Sequence, residues 1–298
     1  MARAKVTKLE KAKRTLLPIG TPVLIPIHSI AVRLLNTEGF RNQGEEPLYG
    51  FVVRNDQTFM RVRVIDSDSE DRRDQNAKIL RRAKSYVTGL SVITFGHIWL
   101  EAVLLSEALE PIWTEPRRLA LVKNKEIDPS GPNELTDQDV GFSLQLTGFI
   151  TAQYPQVLVF HNTGLFLLRS SFAYDFADYY HAEAVVAFYR IVEAVTARRS
   201  KVRKPEVKHV LKELQALGLL QQKSDEGVGW TKDEVTDMYI LRSGPSAHGA
   251  ELAVVSREQA AEAKLFAELV LVKDYIARRG GRIDVGGPIL RWVGRKRK

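Results

Sequence analysis

The stretch "DMYILRSGPSAHGAEL", residues 237–252, carries Arg242 six positions ahead of His248, with Ser243, Gly244, Pro245, Ser246 and Ala247 between them. An arginine offers a planar fork of donors that matches phosphate oxygens, and a histidine passes protons near neutral pH. The pair therefore poses a choice between chemistry on a phosphate and a polar helix end, where an arginine simply complements the helix dipole. On an intact helix, residues six apart point about 240° away from each other. Gly244-Pro245 interrupts that geometry, because proline cannot continue the hydrogen-bond ladder and the residue before it is pushed out of the helical region. A helix that ends close to Arg242 lets the chain turn so that His248 comes back toward it.

The surrounding sequence predicts four helices. The first spans about 172–199, with Val185, Tyr189, Val192 and Val195 or Thr196 as its apolar stripe. The second covers 204–218, with Pro205 near its start and Gly218 at its end. The third, 231–242, opens on Thr231 with Glu234 placed for a capping box, and the fourth, 256–281, opens on Ser256 and stops at Gly280-Gly281. Short links between four helices make an all-α bundle. The basic run "RRSKVRK" supplies Arg198, Arg199, Lys201, Arg203 and Lys204, which read either as contacts to an RNA backbone or as a solvated cluster at a helix end.

With these elements in place, "YILRSGPSAHG" resembles the signature of the HEPN superfamily, an arginine and a histidine separated by roughly four to six residues. It is most similar to the Apea-like branch: the aromatic is Tyr239, the run is Leu241-Arg242-Ser243, and His248-Gly249 closes it. Five residues intervene here, Gly-Pro among them, where that branch usually has about four. The segment "AFYRIVEAVTA" is similar to the family's early helix, with Glu193 one turn past Tyr189. The resemblance covers about 163–281. It implies a metal-independent endoribonuclease, working as a homodimer through this domain. In that chemistry the RNA 2′-hydroxyl attacks the neighbouring phosphate, leaving a 2′,3′-cyclic phosphate and a 5′-hydroxyl. Arg242 and His248 would be catalytic, with Ser243, Glu193 and Tyr239 in support and no cofactor or metal. The same resemblance admits a second reading, a non-catalytic module for dimerisation or for binding RNA or a protein. Apea-like proteins also imply stress or anti-phage (abortive infection) defence, with a phage or cellular trigger sensed at the N-terminal domain.

Other chemistries find less in the sequence. There is no cysteine, which rules out disulfides, thiolate metal sites and a cysteine nucleophile. "GPSAHG" approaches a serine-hydrolase G-x-S-x-G, but its fifth position is His248 and a helix pattern, not a strand, precedes it. His28, His97, His161, His181 and His209 show no paired ligand spacing. No apolar run spans a bilayer and no secretory signal is recognisable, so a cytoplasmic location without membrane contact is expected.

The first half reads as strands. "TPVLIPIHSIAVRL" (21–34) is rich in β-branched residues and carries Pro22 and Pro26, which suit an edge strand or strand ends. "PLYGFVVRNDQTFMRVRVID" (47–66) is a hairpin turning at Asn55-Asp56, with Met60, Val62 and Val64 on one face and Phe59, Arg61, Arg63 and Ile65 on a mostly polar one. Residues 67–94 switch to helical spacing, with Ser69 as cap and Ile79, Leu80, Ala83, Val87 and Leu90 as the stripe. A strand returns at 97–109, and 123–139 reads as a long loop. The net charge of +8 resides in the two ends, with six Lys/Arg against Glu10 in residues 1–14 and eight against Asp284 in residues 278–298. The expected architecture is α+β: a basic arm (1–17), a strand-rich mixed N-terminal domain (18–162), a HEPN-like four-helix bundle (163–282) and a basic tail (283–298).

Overall fold

A computed structural model describes residues 16–30, 32–33, 49–65, 68–94, 97–114, 133–134, 137–170, 177–221, 230–243 and 255–279. The chain divides into two compact units, residues 1–90 with 96–141, and residues 91–95 with 142–298. The class is mixed, an antiparallel sheet followed by a helical region.

In the first unit, β1 (Pro22–Ile30) is the middle strand of a six-stranded antiparallel sheet, and the short β2 (Val32–Arg33) follows it. β3 (Tyr49–Arg54) and β4 (Gln57–Arg63) form the expected hairpin, and β4 pairs with β1 from Pro22↔Arg63 to Pro26↔Phe59. The turn residues Asn55 and Asp56 have φ of 51° and 59°. Both central positions are thus left-handed, as the tight turn of a right-twisted hairpin demands. Met60, Val62 and Val64 are buried as the alternation predicts. Phe59, assigned to the polar face, is buried too, so that face is polar only where Arg61 and Arg63 stand. β1 is a central strand with Pro22 at its first position, so of the two expected placements the strand end holds at Pro22 and the edge does not, and Val23, Leu24 and Ile25 are all buried without alternation.

The helix α1 (Arg72–Thr94) follows the hairpin. Its start differs from expectation: Ser69 is buried with an unpartnered Oγ, and the cap is Asp71, whose Oδ1 accepts from the Asp74 N–H at 2.8 Å. Tyr86 of α1 stacks on Tyr49 of β3 at 4.7 Å, and Ile79, Ala83, Val87 and Leu90 are buried as expected. The strand expected at 97–109 is present as β5 (His97–Leu100) and β6 (Val103–Leu105), and β7 (Pro111–Thr114) pairs with β6. Ile27 faces Leu100 and Leu24 faces Leu105, so Glu101 and Ala102 interrupt one run along β1. Part of the expected 123–139 loop is ordered structure: β8 (Asn133–Glu134) pairs in parallel with β2, and a helix begins at Asp137.

That helix, α2 (Asp137–Gln153), carries the chain into the second unit, and α3 (Pro155–Ser170) follows directly. The expected domain boundary at 162/163 falls inside α3 and is corrected to Gly141/Phe142. The four expected helices are present as α4 (Ala177–Ser200), α5 (Val207–Ala216), α6 (Lys232–Ser243) and α7 (Arg257–Arg278). Among the described residues the second unit therefore holds six helices where four were expected. α3 hides in the sequence because its buried stripe contains His161, Gly164 and Ser170, while Val159 is 63% exposed. Polar groups inside and an apolar one outside erase the amphipathic signal.

α4 is the central helix, packed against α3, α5, α6 and α7. Gly164 allows the close approach of α3, since a Cβ there would lie 2.6 Å from Phe188 Cζ. The capping box predicted at Thr231 forms, with Thr231 N–H donating to Glu234 Oε2 at 2.6 Å, and the expected Ser256 cap forms as part of a second box, in which Ser256 N–H donates to Gln259 Oε1 at 2.8 Å. Before α6, β9 (Leu220–Gln221) and β10 (Trp230–Thr231) pair in parallel, and Trp230 stacks on Phe266 of α7 at 3.8 Å. This pins the start of α6 and so directs its last turn. Among the described residues no helix is long and apolar enough to cross a membrane.

Candidate functional site

Val235, Tyr239 and Arg242 recur at helical spacing on the face of α6 that meets α4. Val235 is buried and anchors that face. Tyr239 meets Tyr189 of α4 edge-on, ring centroids 6.4 Å apart. One turn further along each helix, Arg242 Nε donates to Glu193 Oε2 at 2.9 Å. The pair is asymmetric, with the Arg242 side chain 38% exposed and that of Glu193 13%. A guanidinium held by Nε presents its two terminal nitrogens away from its anchor, and these meet no acceptor among the described residues.

Burial pushes the Glu193 carboxyl above the ordinary glutamate range, and the Arg242 charge, its hydrogen bond and the more distant Arg190 only partly oppose this. Desolvation wins over pairing here. Tyr189 sits one turn before Glu193, is 1% exposed, and its hydroxyl has no hydrogen-bond partner among the described residues. Burial first, then the Glu193 charge, raises its phenol well above the usual tyrosine range.

Of the residues singled out from the sequence, Arg242, Glu193 and Tyr239 are brought together. Ser243 ends α6 and is exposed. His248 lies outside the described residues, as do Gly244-Pro245 and both basic arms up to Leu16 and beyond Arg279. Lys201, Arg203 and Lys204 are exposed. Arg198 is exposed as well, with Nη2 donating to Gln153 Oε1 at 2.6 Å. Arg199 departs from its expected role at an RNA backbone. It turns inward, with Nε on Glu213 and Nη1 on Asp274, both at 2.8 Å, because the fully buried Asp274 requires donors. Arg278 Nε and Tyr154 Oη donate to the same carboxylate, Tyr154 at 2.6 Å.

A second buried polar group went unread in the sequence. His161 Nε2 of α3 lies 2.8 Å from Glu268 Oε1, and Lys264 Nζ donates to Glu268 Oε2 at 2.8 Å, all three buried. The signal was present as a Lys/Glu pair four apart inside the apolar run "AKLFAELVLV", where a solvated pair would have no reason to sit. Among the described residues no group of three or more His, Asp or Glu side chains is gathered as a metal site would need. Comparisons with family models, with curated proteins and with solved structures find no match to this chain.

Proposed function

We propose that the chain is a metal-independent endoribonuclease of HEPN type, with α4–α7 as its HEPN-like bundle and Arg242 and His248 as its catalytic pair. The observation that carries this reading is the 2.9 Å bond from Arg242 to Glu193, which anchors the motif arginine at the end of α6 with its terminal nitrogens unengaged among the described residues. That arrangement places the terminal nitrogens for first contact with the non-bridging oxygens of a phosphodiester. The 2′-hydroxyl of the RNA forms the new bond to phosphorus and the 5′-oxygen leaves. His248 takes the proton from the nucleophile or returns one to the leaving oxygen, and Arg242 stabilises the charge that grows between them. Glu193 positions Arg242, and Tyr239 packs on Tyr189 beside it. The working unit is a homodimer through the helical domain, cytoplasmic, with the sheet domain sensing a phage or cellular trigger in stress or anti-phage defence.

The test is RNA cleavage by wild type, Arg242→Ala and His248→Ala with EDTA present. Wild-type cleavage leaving 2′,3′-cyclic phosphate ends, reduced about 10²–10³-fold in Arg242→Ala and about 10²–10⁴-fold in His248→Ala, is expected. Equal cleavage by all three removes these residues from the mechanism. RNA binding without cleavage by any form establishes the non-catalytic module instead.

A further inference from the structure

Tyr189 is 1% exposed, and its hydroxyl oxygen has no hydrogen-bond partner among the described residues. A phenylalanine would fill the same space without burying an unpaired polar group, which folded proteins avoid. The nearest chemistry is Glu193, one turn along α4 on the same face, whose charge acts on the Tyr189 phenol. Glu193 is itself mostly buried, and its one hydrogen bond among the described residues comes from Arg242 Nε.

This sets a conflict. Arginine grips a phosphate best through a pair of parallel N–H groups, and the pair formed by Nε and one terminal nitrogen is the side-on fork. Presenting that fork means leaving Glu193, and a buried carboxylate stripped of its donor is strongly disfavoured. A replacement donor already stands beside it. We infer that Tyr189 is a positioning residue: its O–H takes over the Glu193 carboxylate when Arg242 turns its Nε edge onto a bound phosphate. The inference rests on the reading of Arg242 as a phosphate grip. The ligand class is a phosphate oxyanion, mono- or diester, and no covalent change occurs in the exchange. The site thus has two hydrogen-bond states, Arg242–Glu193 when empty and Tyr189–Glu193 when loaded.

The experiment uses the full chain, inorganic phosphate as the probe, and Tyr189→Phe alone and combined with Glu193→Gln. Without phosphate, Tyr189→Phe is expected to melt at or above the wild-type temperature, because the lost hydroxyl had no partner. Its phosphate dissociation constant is expected to rise about ten- to a hundredfold, the worth of one hydrogen bond to a charged group. In the Glu193→Gln background the same substitution is expected to change phosphate affinity by less than about twofold, since no buried charge then needs the donor. A purely structural tyrosine would not produce that dependence on Glu193.

A Tyr189→Phe protein that binds phosphate like wild type overturns the inference. So does one that melts lower without phosphate, or a wild type that binds no phosphate at all. RNA cleavage separates this outcome from the fate of the nuclease reading. Cleavage that depends on Arg242 and His248 but is indifferent to Tyr189→Phe, with phosphate affinity also unchanged, leaves the nuclease standing and removes the switch. An intact phosphate result with no RNA cleavage by wild type does the reverse.

Discussion

Replacing Glu268 with glutamine keeps the shape of the side chain and removes a charge that serves two buried basic groups. Lys264 is 2% exposed, and its ammonium faces Glu268 Oε2 at 2.8 Å, while His161 Nε2 faces the other oxygen. Burial already pushes Lys264 below the ordinary lysine range, with the Glu268 charge opposing. Taking away the anion leaves the lysine two courses: to stay charged with that carboxylate gone, or to fold neutral. The second sets a ceiling, since deprotonating a lysine of ordinary pKa about 10.4 at pH 7 costs about 1.4 kcal/mol for each of some 3.4 pH units, or roughly 5 kcal/mol. Breaking one side of a buried pair typically costs about 3–5 kcal/mol, which agrees. In a cooperative unit of this size that is a fall in Tm of about 6–20 °C.

The assay is thermal unfolding from pH 6 to 9. In Glu268→Gln the unfolded chain binds one proton more than the folded one at Lys264, so stability should rise with pH by up to about 1.4 kcal/mol per unit toward the ordinary lysine range. Wild type should rise less over the same window, because Glu268 holds the proton on Lys264. The double replacement Lys264→Met/Glu268→Leu should return to within about 1–2 kcal/mol of wild type, since a packed apolar pair needs no compensation. A Glu268→Gln protein with unchanged Tm, or with the pH slope of wild type, refutes the reasoning.

Two further outcomes follow from the packing around α4. Gly164→Ala should destabilise by about 1–3 kcal/mol in urea unfolding despite alanine's better helix propensity, because its methyl would lie 2.6 Å from Phe188 Cζ, and Phe188→Leu in the same chain should restore part of the loss. Arg242→Ala should raise the Glu193 pKa further, since the arginine charge and hydrogen bond are what lower it. The folded state binds the proton more tightly than the unfolded chain here, so stability falls as pH rises from the ordinary glutamate value through the folded one. In Arg242→Ala that fall should extend to higher pH, as ¹³C NMR of the Glu193 carboxyl and melts between pH 4 and 7 would record.

Much of the helical framework was legible because its signals are local. The boxes Thr231/Glu234 and Ser256/Gln259 satisfy backbone donors within three residues, and Asn55-Asp56 supplies the two left-handed positions of its turn. Such features need no distant partner, so the chain states them directly. α2 and α3 were not legible. The buried face of α3 carries His161 and Gly164, and these residues make sense only beside Glu268 and Phe188, both far along the chain. Glu193 could be singled out by its place one turn after Tyr189, but its bond to Arg242 spans 49 positions.

The division between the two kinds of information is clearest in the arginines. Arg198, Arg199 and Arg242 share one chemistry and similar positions in the last turns of their helices. Local pattern alone assigns each of them to a helix end with charge to display. Packing then separates them: Arg199 is drawn onto Asp274, 75 positions away, because that carboxylate is fully buried, while Arg198 stays exposed at Gln153. Arg242 meets Glu193 with part of its fork uncommitted among the described residues. Helix periodicity determines which face a cation occupies. Desolvation of the carboxylate it meets, a quantity set only when distant helices close over that face, determines whether the cation is structural or remains available to a ligand.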